Sequence, residues 1–243
     1  MKQMKRRTFL KIPPLVVASV YFPGCLSKNS VVDPSVDQDI EPARKNLPQS
    51  RDKIYTPDYS NIEEYVSANP DFSPRFGVIL VDLQEGFLEK ISREELKQEL
   101  PYIVEVLQHC ADNYIPVAAL EFQGYGRTIQ VLRNEIEKVP QNEYFTKYKR
   151  NGFTNSMLAA QLNEWDVNFV FLMGAFASGC VVDTAGGALD SGLGIATSRN
   201  VILDEANFPD KLMIDFYFKQ KGLYSDNHRD FFQYMKNKEL ARL

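Results

Sequence analysis

From residue 74 onward, runs of consecutive apolar residues alternate with stretches whose apolar positions repeat at the helical spacing. A run that is apolar at every position is typical of a strand buried on both faces of a parallel sheet. The pattern predicts strands at Phe76 to Val81, Ile115 to Leu120, Tyr144 to Lys147, Val167 to Met173 and Ile195 to Ser198. It predicts helices at Ser92 to Asn113, Arg127 to Lys138, Asn155 to Trp165 and Cys180 to Leu189.

This alternation predicts an α/β fold: a three-layer, doubly wound, Rossmann-like sandwich around a mostly parallel sheet. A sixth strand is not evident before the last helix-like stretch, Asp226 to Leu243. The aromatic-rich segment from Asp210 to Tyr224 is not explained by the alternation. A pocket lid, a subunit contact and simple packing are each compatible with it, and packing is favoured.

Two features mark the helix that follows the first strand. Ser92 and Glu95 have the spacing of a capping box at its start. Cys110 falls on the same face as the leucine and valine residues of this helix, which predicts a role in core packing. A disulfide between Cys110 and Cys180 is possible on cysteine parity alone, and nothing else in the sequence supports it.

The N-terminal 25 residues have the organisation of an export signal, followed by a Pro- and Asp-containing tether over residues 26–70 and a folded domain over 71–243. The basic segment Arg6 to Lys11 resembles a twin-arginine motif, and a short apolar stretch follows it. That stretch ends at Phe22-Pro23-Gly24-Cys25, which resembles a lipobox with Cys25 as the lipidated residue. We therefore expect an exported bacterial protein, periplasmic or membrane-anchored through lipid; the alternative is a short basic amphipathic tail.

The composition and charge of the chain say little about which molecules the protein binds. The chain is 44% hydrophobic and 25% charged, as in ordinary globular proteins, and its formal net charge is −4. This charge gives no electrostatic reason to expect a nucleic-acid partner. Beyond the signal, no segment approaches the roughly 20 apolar residues that span a bilayer.

Reactive side chains stand at or just beyond the ends of four predicted strands: Asp82, Glu121, Lys147 and Cys180. In doubly wound sheets, active sites lie outside the carboxyl ends of the strands. Cys180 also lies near the start of a predicted helix, where free N–H groups and the helix dipole favour a thiolate. These positions predict a nucleophilic cysteine site at one edge of the sheet.

Each of these residues also has a structural interpretation. Asp82 could be a turn residue after a strand, and Cys180 could be a small buried side chain. Lys147 could be a solvated surface charge, or could be confused with Lys149 two residues later.

Three sequence blocks carry a resemblance to a known family. The first is Asp82-Leu83-Gln84-Glu85-Gly86-Phe87, the second runs from Thr146 to Phe153, and the third runs from Gly174 through Cys180 to Ala185. In this order they resemble the D-x-Q-x-x-F, lysine and G-x5-C-V-x-x-T-A blocks of the isochorismatase-like cysteine hydrolases. The spacing of Lys147 to Phe153, which Lys149 does not share, favours Lys147 as the lysine of the second block.

The resemblance implies a triad of Asp82, Lys147 and Cys180, with Asp82 as the base and Cys180 as the nucleophile. It further implies an oxyanion hole formed by the backbone N–H groups of Phe176 and Cys180, with a cis peptide bond between Ala175 and Phe176. Substrate contacts are expected from four residues at the same edge of the sheet: Gln84, Phe87, Glu121 and Tyr125. For Gln84 and Phe87, a packing role beneath the site is an equally good interpretation. A homo-oligomer is also implied.

The chain departs from the metal-binding members of that family, which carry an aspartate and two histidines after the second strand. Its two histidines, His109 and His228, lie elsewhere and form no ligand-like cluster. We therefore expect neither a metal nor another cofactor. The leading hypothesis is a cysteine hydrolase that cleaves a small amide or other C–N bond through a thioester. The alternatives are a non-catalytic exported binding or scaffold lipoprotein with the same fold, and a thiol redox protein, which the absence of C-x-x-C disfavours.

Overall fold

The structure is a computed structural model that describes residues 74–205, 218–219 and 221–240. The predicted export signal and tether, the lipidation site Cys25 and most of the aromatic segment 210–224 lie outside these residues. Among the helices that are described, none has the length and apolar character needed to cross a membrane.

Strands and helices alternate along the described chain. The strands are β1 (Phe76–Val81), β2 (Val117–Phe122), β3 (Asn142–Lys147), β4 (Phe169–Ala175), β5 (Gly194–Ser198), β6 (Ile202–Leu203) and β7 (Leu223–Ser225). The α-helices are α1 (Glu85–Leu88), α2 (Arg93–Asn113), α3 (Gln130–Ile136), α4 (Ser156–Glu164), α5 (Val182–Asp190) and α6 (His228–Leu240). Short 3₁₀ turns occupy Gly152–Thr154 and Arg199–Val201, and a π-helical turn occupies Ala177–Val181.

The strands pair in the order β3-β2-β1-β4-β5-β7, with β6 added beside the end of β4, and all of these strand pairs are parallel. The chain builds outward from β1 through β2 to β3 and then returns to place β4 on the other side of β1. The direction of winding therefore reverses between β1 and β4, which is where ligand sites form in such sheets. The predicted α/β fold with a mostly parallel sheet is confirmed.

Helices cover both faces of the sheet because the central strands are buried on both sides. Phe231 of α6 packs edge-on against Phe76 of β1, with ring centroids 5.4 Å apart, on one face. The next residue of β1, Gly77, faces Leu162 of α4 on the other. Every residue of β4 is buried, as its continuous apolar sequence predicts.

Two expectations about the elements were wrong. Strands do precede the last helix, since Ile202–Leu203 pairs with β4 and Leu223–Ser225 pairs with β5. These strands have two and three residues, too few to show a readable periodicity. The helix expected to begin at Cys180 begins instead at Val182, because a π-helical turn carries Cys180.

The start of α2 shows half of the predicted capping box. The Ser92 side chain accepts a hydrogen bond from the N–H of Glu95 at 3.1 Å. The Glu95 carboxylate, however, accepts a hydrogen bond from the backbone N–H of Asp204 at 3.3 Å, so it ties α2 to the end of β6. Cys110 is fully buried in the core, as predicted, and both Cys110 and Cys180 are free thiols.

Candidate active site

Parallel strands bring the predicted reactive residues to one edge of the sheet. Asp82 directly follows β1, Lys147 ends β3, and Cys180 follows β4 after the turn Ala177–Val181. Because β1 lies between β2 and β4, the ends of these strands converge where the winding reverses.

An ion pair between Lys147 and Asp82 forms the centre of the site. Lys147 Nζ lies 2.7 Å from Asp82 Oδ2, and both side chains are completely buried. The ammonium group also donates hydrogen bonds to the backbone carbonyls of Lys149 and Arg150, at 3.3 and 3.1 Å. It lies 4.6 Å from the ring centroid of Phe122 as well. The Lys149 side chain, by contrast, is exposed, so Lys147 is the lysine in contact with Asp82.

Asp82 adopts a backbone conformation that aspartate tolerates better than most residues. Its φ is +52°, in the left-handed region, and its N–H donates to the carbonyl of Leu120 at 3.1 Å. Burial raises the pKa of the Asp82 carboxyl above its ordinary value, while the charge and hydrogen bond of Lys147 oppose this rise. Cys180 lies close enough to this carboxylate for the Asp82 charge to raise the pKa of its thiol.

The structure corrects the expected ionisation of Cys180. Only 6% of this residue is exposed, and its burial, reinforced by the negative charge of Asp82, raises the thiol pKa to about 12. Lys147 acts in the opposite direction but does not outweigh these effects. Cys180 is therefore a neutral thiol at neutral pH, and the thiolate expected from a helix start was wrong because desolvation dominates.

The backbone around Cys180 forms a tight turn. The peptide bond between Ala175 and Phe176 is cis. The carbonyl of Phe176 accepts hydrogen bonds from the N–H groups of Gly179 and Val181, both at 3.1 Å. The chain therefore curls around this carbonyl, and Cys180 is the residue between the two donors, Gly179 and Val181.

Gln84 is buried, and its side chain is fully engaged with backbone groups. Its Nε2 donates to the carbonyls of Phe122 and Gly126 at 2.9 and 2.7 Å, and its Oε1 accepts from the N–H of Phe122 at 2.6 Å. Gln84 therefore fixes the end of β2 and the loop after it. Substrate binding by Gln84 stays a prediction.

Aromatic side chains form a wall beside the turn. Phe87 stacks on Tyr125 with centroids 3.9 Å apart, and it meets Phe176 edge-on at 5.3 Å and Phe122 edge-on at 6.2 Å. Phe87 is buried and Tyr125 half-buried. The structure thus brings one of the predicted substrate contacts, Phe87, against Phe176 of the predicted oxyanion hole, and Tyr125 stacks on Phe87.

The Glu121 side chain, at the end of β2, contacts the loop and the helix that follow this strand. Its Oε1 accepts from the N–H of Thr128 at 2.8 Å and lies 3.4 Å from Nη1 of Arg133. Side chains alternate along a strand, so Glu121 faces the opposite side of β2 from Phe122, whose ring lies next to Lys147. A substrate contact for Glu121 stays a prediction.

The sequence analysis did not identify three polar residues that lie around the turn Ala177–Val181. Asp204 and Arg150 both bind Ser178 of this turn, and the buried Thr184 of α5 donates to the carbonyl of Arg150 at 3.3 Å. Asp204 directly follows β6, and a position after a strand end could have indicated a site residue. The two-residue β6, however, is too short to be predicted from the sequence. Arg150 and Thr184 lie inside the blocks that carried the resemblance, but their spacing does not reveal their partners.

The histidines lie away from the site. His228 is buried and contacts Asn200 at 2.9 Å and Glu105 at 3.3 Å, and His109 packs on the ring of Phe232. Among the described residues, no group of three or more His, Cys, Asp or Glu side chains could hold a metal ion.

The isochorismatase domain model matches residues 77–204, which is more than half of the 243-residue chain. The chain therefore belongs to the isochorismatase family and is a hydrolase of that family. No curated protein sequence matches it.

Solved structures share the fold at low identity. The nicotinamidase SaPncA from Staphylococcus aureus has a TM-score of 0.56 and 17% identity, covering 63% of this chain and 98% of its own. N-carbamoylsarcosine amidase from Thermoplasma acidophilum has a TM-score of 0.54 and 17% identity, covering 63% and 96%. The MAR1 ribonuclease from Caenorhabditis elegans has a TM-score of 0.53 and 18% identity, covering 64% and 79%. These likenesses establish the fold, and the differing names show that the fold does not determine the substrate.

Proposed function

We propose that this protein is a cysteine hydrolase that cleaves a small amide or another C–N bond through a thioester on Cys180. The observation that carries the proposal is the completely buried Lys147–Asp82 ion pair, whose two charges lie close enough to Cys180 to shift the pKa of its thiol. A buried charge pair stabilises a fold less than well-packed apolar residues would. Its position beside a free thiol therefore supports a catalytic role.

The first half of the reaction needs one base and one nucleophile. As Cys180 Sγ attacks the carbonyl carbon, Asp82 takes the Sγ proton and the carbonyl oxygen becomes an oxyanion. When the intermediate collapses, the C–N bond breaks and the proton on Asp82 passes to the leaving nitrogen. The products are an amine or ammonia and a thioester on Cys180.

The second half restores the enzyme. A water molecule loses a proton to Asp82 as its oxygen attacks the thioester carbonyl. Collapse of that intermediate breaks the C–S bond, and the proton on Asp82 returns to Sγ of Cys180. Overall, one amide and one water give one acid and one amine, with the carboxylate and thiol regenerated.

Lys147 keeps the carboxylate available for this work. Its ammonium group opposes the rise that burial causes in the pKa of Asp82. A larger fraction of the Asp82 carboxyl groups is therefore ionised at a given pH than without Lys147. Three further contacts, with the two carbonyls and the Phe122 ring, hold the ammonium group in place. The N–H groups of Phe176 and Cys180 would stabilise the oxyanion, since an intermediate of this kind needs fixed donors in a water-poor site.

The structural neighbours support C–N chemistry, because two of the three described above are named as a nicotinamidase and an amidase. Phe87 and Tyr125 form a stacked pair that meets the ring of Phe176 edge-on through Phe87, so the surroundings of the turn are aromatic and apolar. The substrate class we propose is accordingly a small amide or carbamoyl compound.

Acyl transfer to Cys180 tests the proposal directly. The protein is mixed with p-nitrophenyl acetate, quenched in acid and analysed by intact-mass and peptide mass spectrometry, and ammonia release is measured for nicotinamide and N-carbamoylsarcosine. We expect an acetyl group on Cys180 in wild type and in Cys110→Ala, and none in Cys180→Ala or Asp82→Asn. An adduct on Cys110 instead, or no adduct on either thiol, contradicts the proposal and favours the non-catalytic alternative.

The proposed location is outside the cytoplasm, with Cys25 carrying a lipid anchor, and the proposed assembly is a homo-oligomer. The support is the N-terminal sequence pattern for the first two and the family resemblance for the third. Labelled palmitate should enter the wild-type chain and not Cys25→Ala in a bacterial host. Replacing Arg6 and Arg7 by lysine should abolish export, and light scattering should give a mass above that of one chain.

A further inference from the structure

Ser178, in the turn that carries Cys180, is held by two residues of opposite charge. The Asp204 carboxylate accepts the Ser178 N–H on Oδ2 at 3.3 Å and the Ser178 hydroxyl on Oδ1 at 3.2 Å. From the other side, Nη2 of Arg150 donates to the Ser178 carbonyl at 3.3 Å. The N–H, the hydroxyl and the carbonyl of one residue are therefore all engaged by charged partners.

Both partners are anchored to the body of the domain. Asp204 follows Leu203, which pairs with Ala175 at the end of β4, and only 2% of Asp204 is exposed. Its own N–H donates to the carboxylate of Glu95 on α2. Asp204 therefore holds the turn from a fixed position beside the strand that leads into it.

Arg150 links the turn to the catalytic lysine. Its Nε lies 3.0 Å from the Asp183 carboxylate on α5, and its backbone carbonyl accepts from Lys147 Nζ and from Thr184 Oγ1. The same residue thus contacts Lys147 through its main chain and Ser178 through its side chain. A shift of the turn is then coupled to the loop that holds Lys147.

The turn needs such contacts because its backbone is irregular and its outer residue lacks apolar cover. Gly179 has φ −130° and ψ −107°, outside helical values, and Ser178 is exposed. Exposed segments that lack apolar burial open at low free energy. An oxyanion hole, however, stabilises its charge only where the N–H donors are held in advance.

We propose that Asp204 and Arg150 are positioning residues that clamp Ser178 and thereby aim the N–H groups of Phe176 and Cys180 at the oxyanion. This inference rests on the proposed function. It adds to that function two residues that touch neither the nucleophile nor its base.

Two reactions of the same thiol separate aiming of the N–H groups from reactivity of Cys180. Acylation by p-nitrophenyl acetate forms an oxyanion, whereas alkylation by iodoacetamide displaces iodide at a saturated carbon and forms none. Both rate constants are measured on wild type, Asp204→Ala, Arg150→Ala and Ser178→Ala in the Cys110→Ala background. Asp112→Ala and Lys97→Ala, which remove exposed charges from α2, are the matched controls.

We expect Asp204→Ala and Arg150→Ala to slow acylation by up to about 100-fold, the loss that a misplacement of about 1 Å can cause. Alkylation should change by less than about threefold, because it uses no oxyanion hole. Ser178→Ala keeps the backbone contacts and loses only the hydroxyl contact, so its effect should be smaller. Asp204→Asn keeps an acceptor oxygen and should recover part of the acylation rate, and the controls should match wild type.

The outcomes distinguish the clamp from the chemistry. If Asp204→Ala and Arg150→Ala are acylated as fast as wild type, the clamp is overturned and the proposed function stays intact. Equal losses in acylation and alkylation also overturn it, since they would indicate a general disturbance of Cys180. Absence of wild-type acylation overturns the proposed function and the clamp with it. If Asp204→Ala fails to fold, Ser178→Ala, which alters only an exposed hydroxyl, gives the same comparison.

Discussion

The Nζ atom of Lys147 lies 2.7 Å from Oδ2 of Asp82, and neither side chain is accessible to solvent. Both charges have lost their hydration, and each depends on the other for compensation. Removing one partner of such a pair leaves an uncompensated buried charge, which typically costs about 3–5 kcal/mol. The stability of the fold and the ionisation of the Cys180 thiol therefore both depend on this contact.

Lys147→Met should lower the free energy of unfolding by about 3–5 kcal/mol at neutral pH, because the Asp82 carboxylate is left buried and unpaired. The loss should shrink as pH falls, since burial raises the pKa of Asp82 and a protonated carboxyl carries no charge to compensate. Urea denaturation at neutral and mildly acidic pH measures both effects. In the double variant with Asp82→Asn, the loss should be smaller than the sum of the single losses. Additive losses would show that the two groups are not coupled.

Asp82→Asn and Lys147→Met should move the pKa of Cys180 in opposite directions. The Asp82 charge raises this pKa and the Lys147 charge lowers it. Asp82→Asn should therefore lower the pKa from about 12 and Lys147→Met should raise it, while both variants lose turnover because the base or its support is gone.

Thiolate absorbance in the ultraviolet, followed across pH in the Cys110→Ala background, gives the pKa of Cys180. The background removes Cys110, whose pKa is also raised by burial. The base-assisted scheme is supported if Asp82→Asn has a lower Cys180 pKa than wild type and has also lost turnover. A pKa that rises in both variants would mean that Asp82 and Lys147 support the thiolate jointly, and the base-assisted scheme would be wrong.

The central sheet was predictable because it follows from long apolar runs. β1 and β4 are buried on both faces, and their sequences contain few polar interruptions. Their ends could be located within about two residues, which was enough to place Asp82 and Cys180 at one edge. The short strands β6 and β7 were not predictable, because two or three residues show no periodicity.

The partners of each polar side chain were not predictable, since they depend on backbone groups far away in sequence. The bonds of the Gln84 side chain to the backbone of Phe122 and Gly126, 38 and 42 residues later, could not be predicted from the sequence. The ionisation of Cys180 was misjudged for a related reason. Its helix-start position is visible in the sequence, whereas the degree of burial that raises its pKa depends on the whole fold.

Gly174→Ala should prevent stable folding, whereas Gly192→Ala should cost only about 1–2 kcal/mol. Both glycines have positive φ, +120° and +79°, so both substitutions strain the backbone. A Cβ on Gly174 would lie 2.2 Å from the carbonyl oxygen of Val81 on the neighbouring strand, whereas a Cβ on Gly192 meets no atom within 4 Å. Soluble yield and thermal unfolding of the two variants compare the clash directly. Equal behaviour would show that β1 and β4 can separate at this point.

Asp204→Asn should change how stability depends on pH, because burial raises the pKa of this carboxyl from 3.8 to about 6. Between these values the folded protein binds more protons than the unfolded chain, so the Asp204 contribution to stability falls as pH rises from 3.8 to about 6. The amide of Asn does not titrate, so the stability of wild type relative to the variant should decline over that interval and stay constant above it. One pKa unit corresponds to about 1.4 kcal/mol, so the decline should be on the order of 1–3 kcal/mol. Because Glu95 also raises this pKa, Glu95→Gln should shift the interval to lower pH. A difference between wild type and Asp204→Asn that stays constant from acid to neutral pH would show that Asp204 titrates normally.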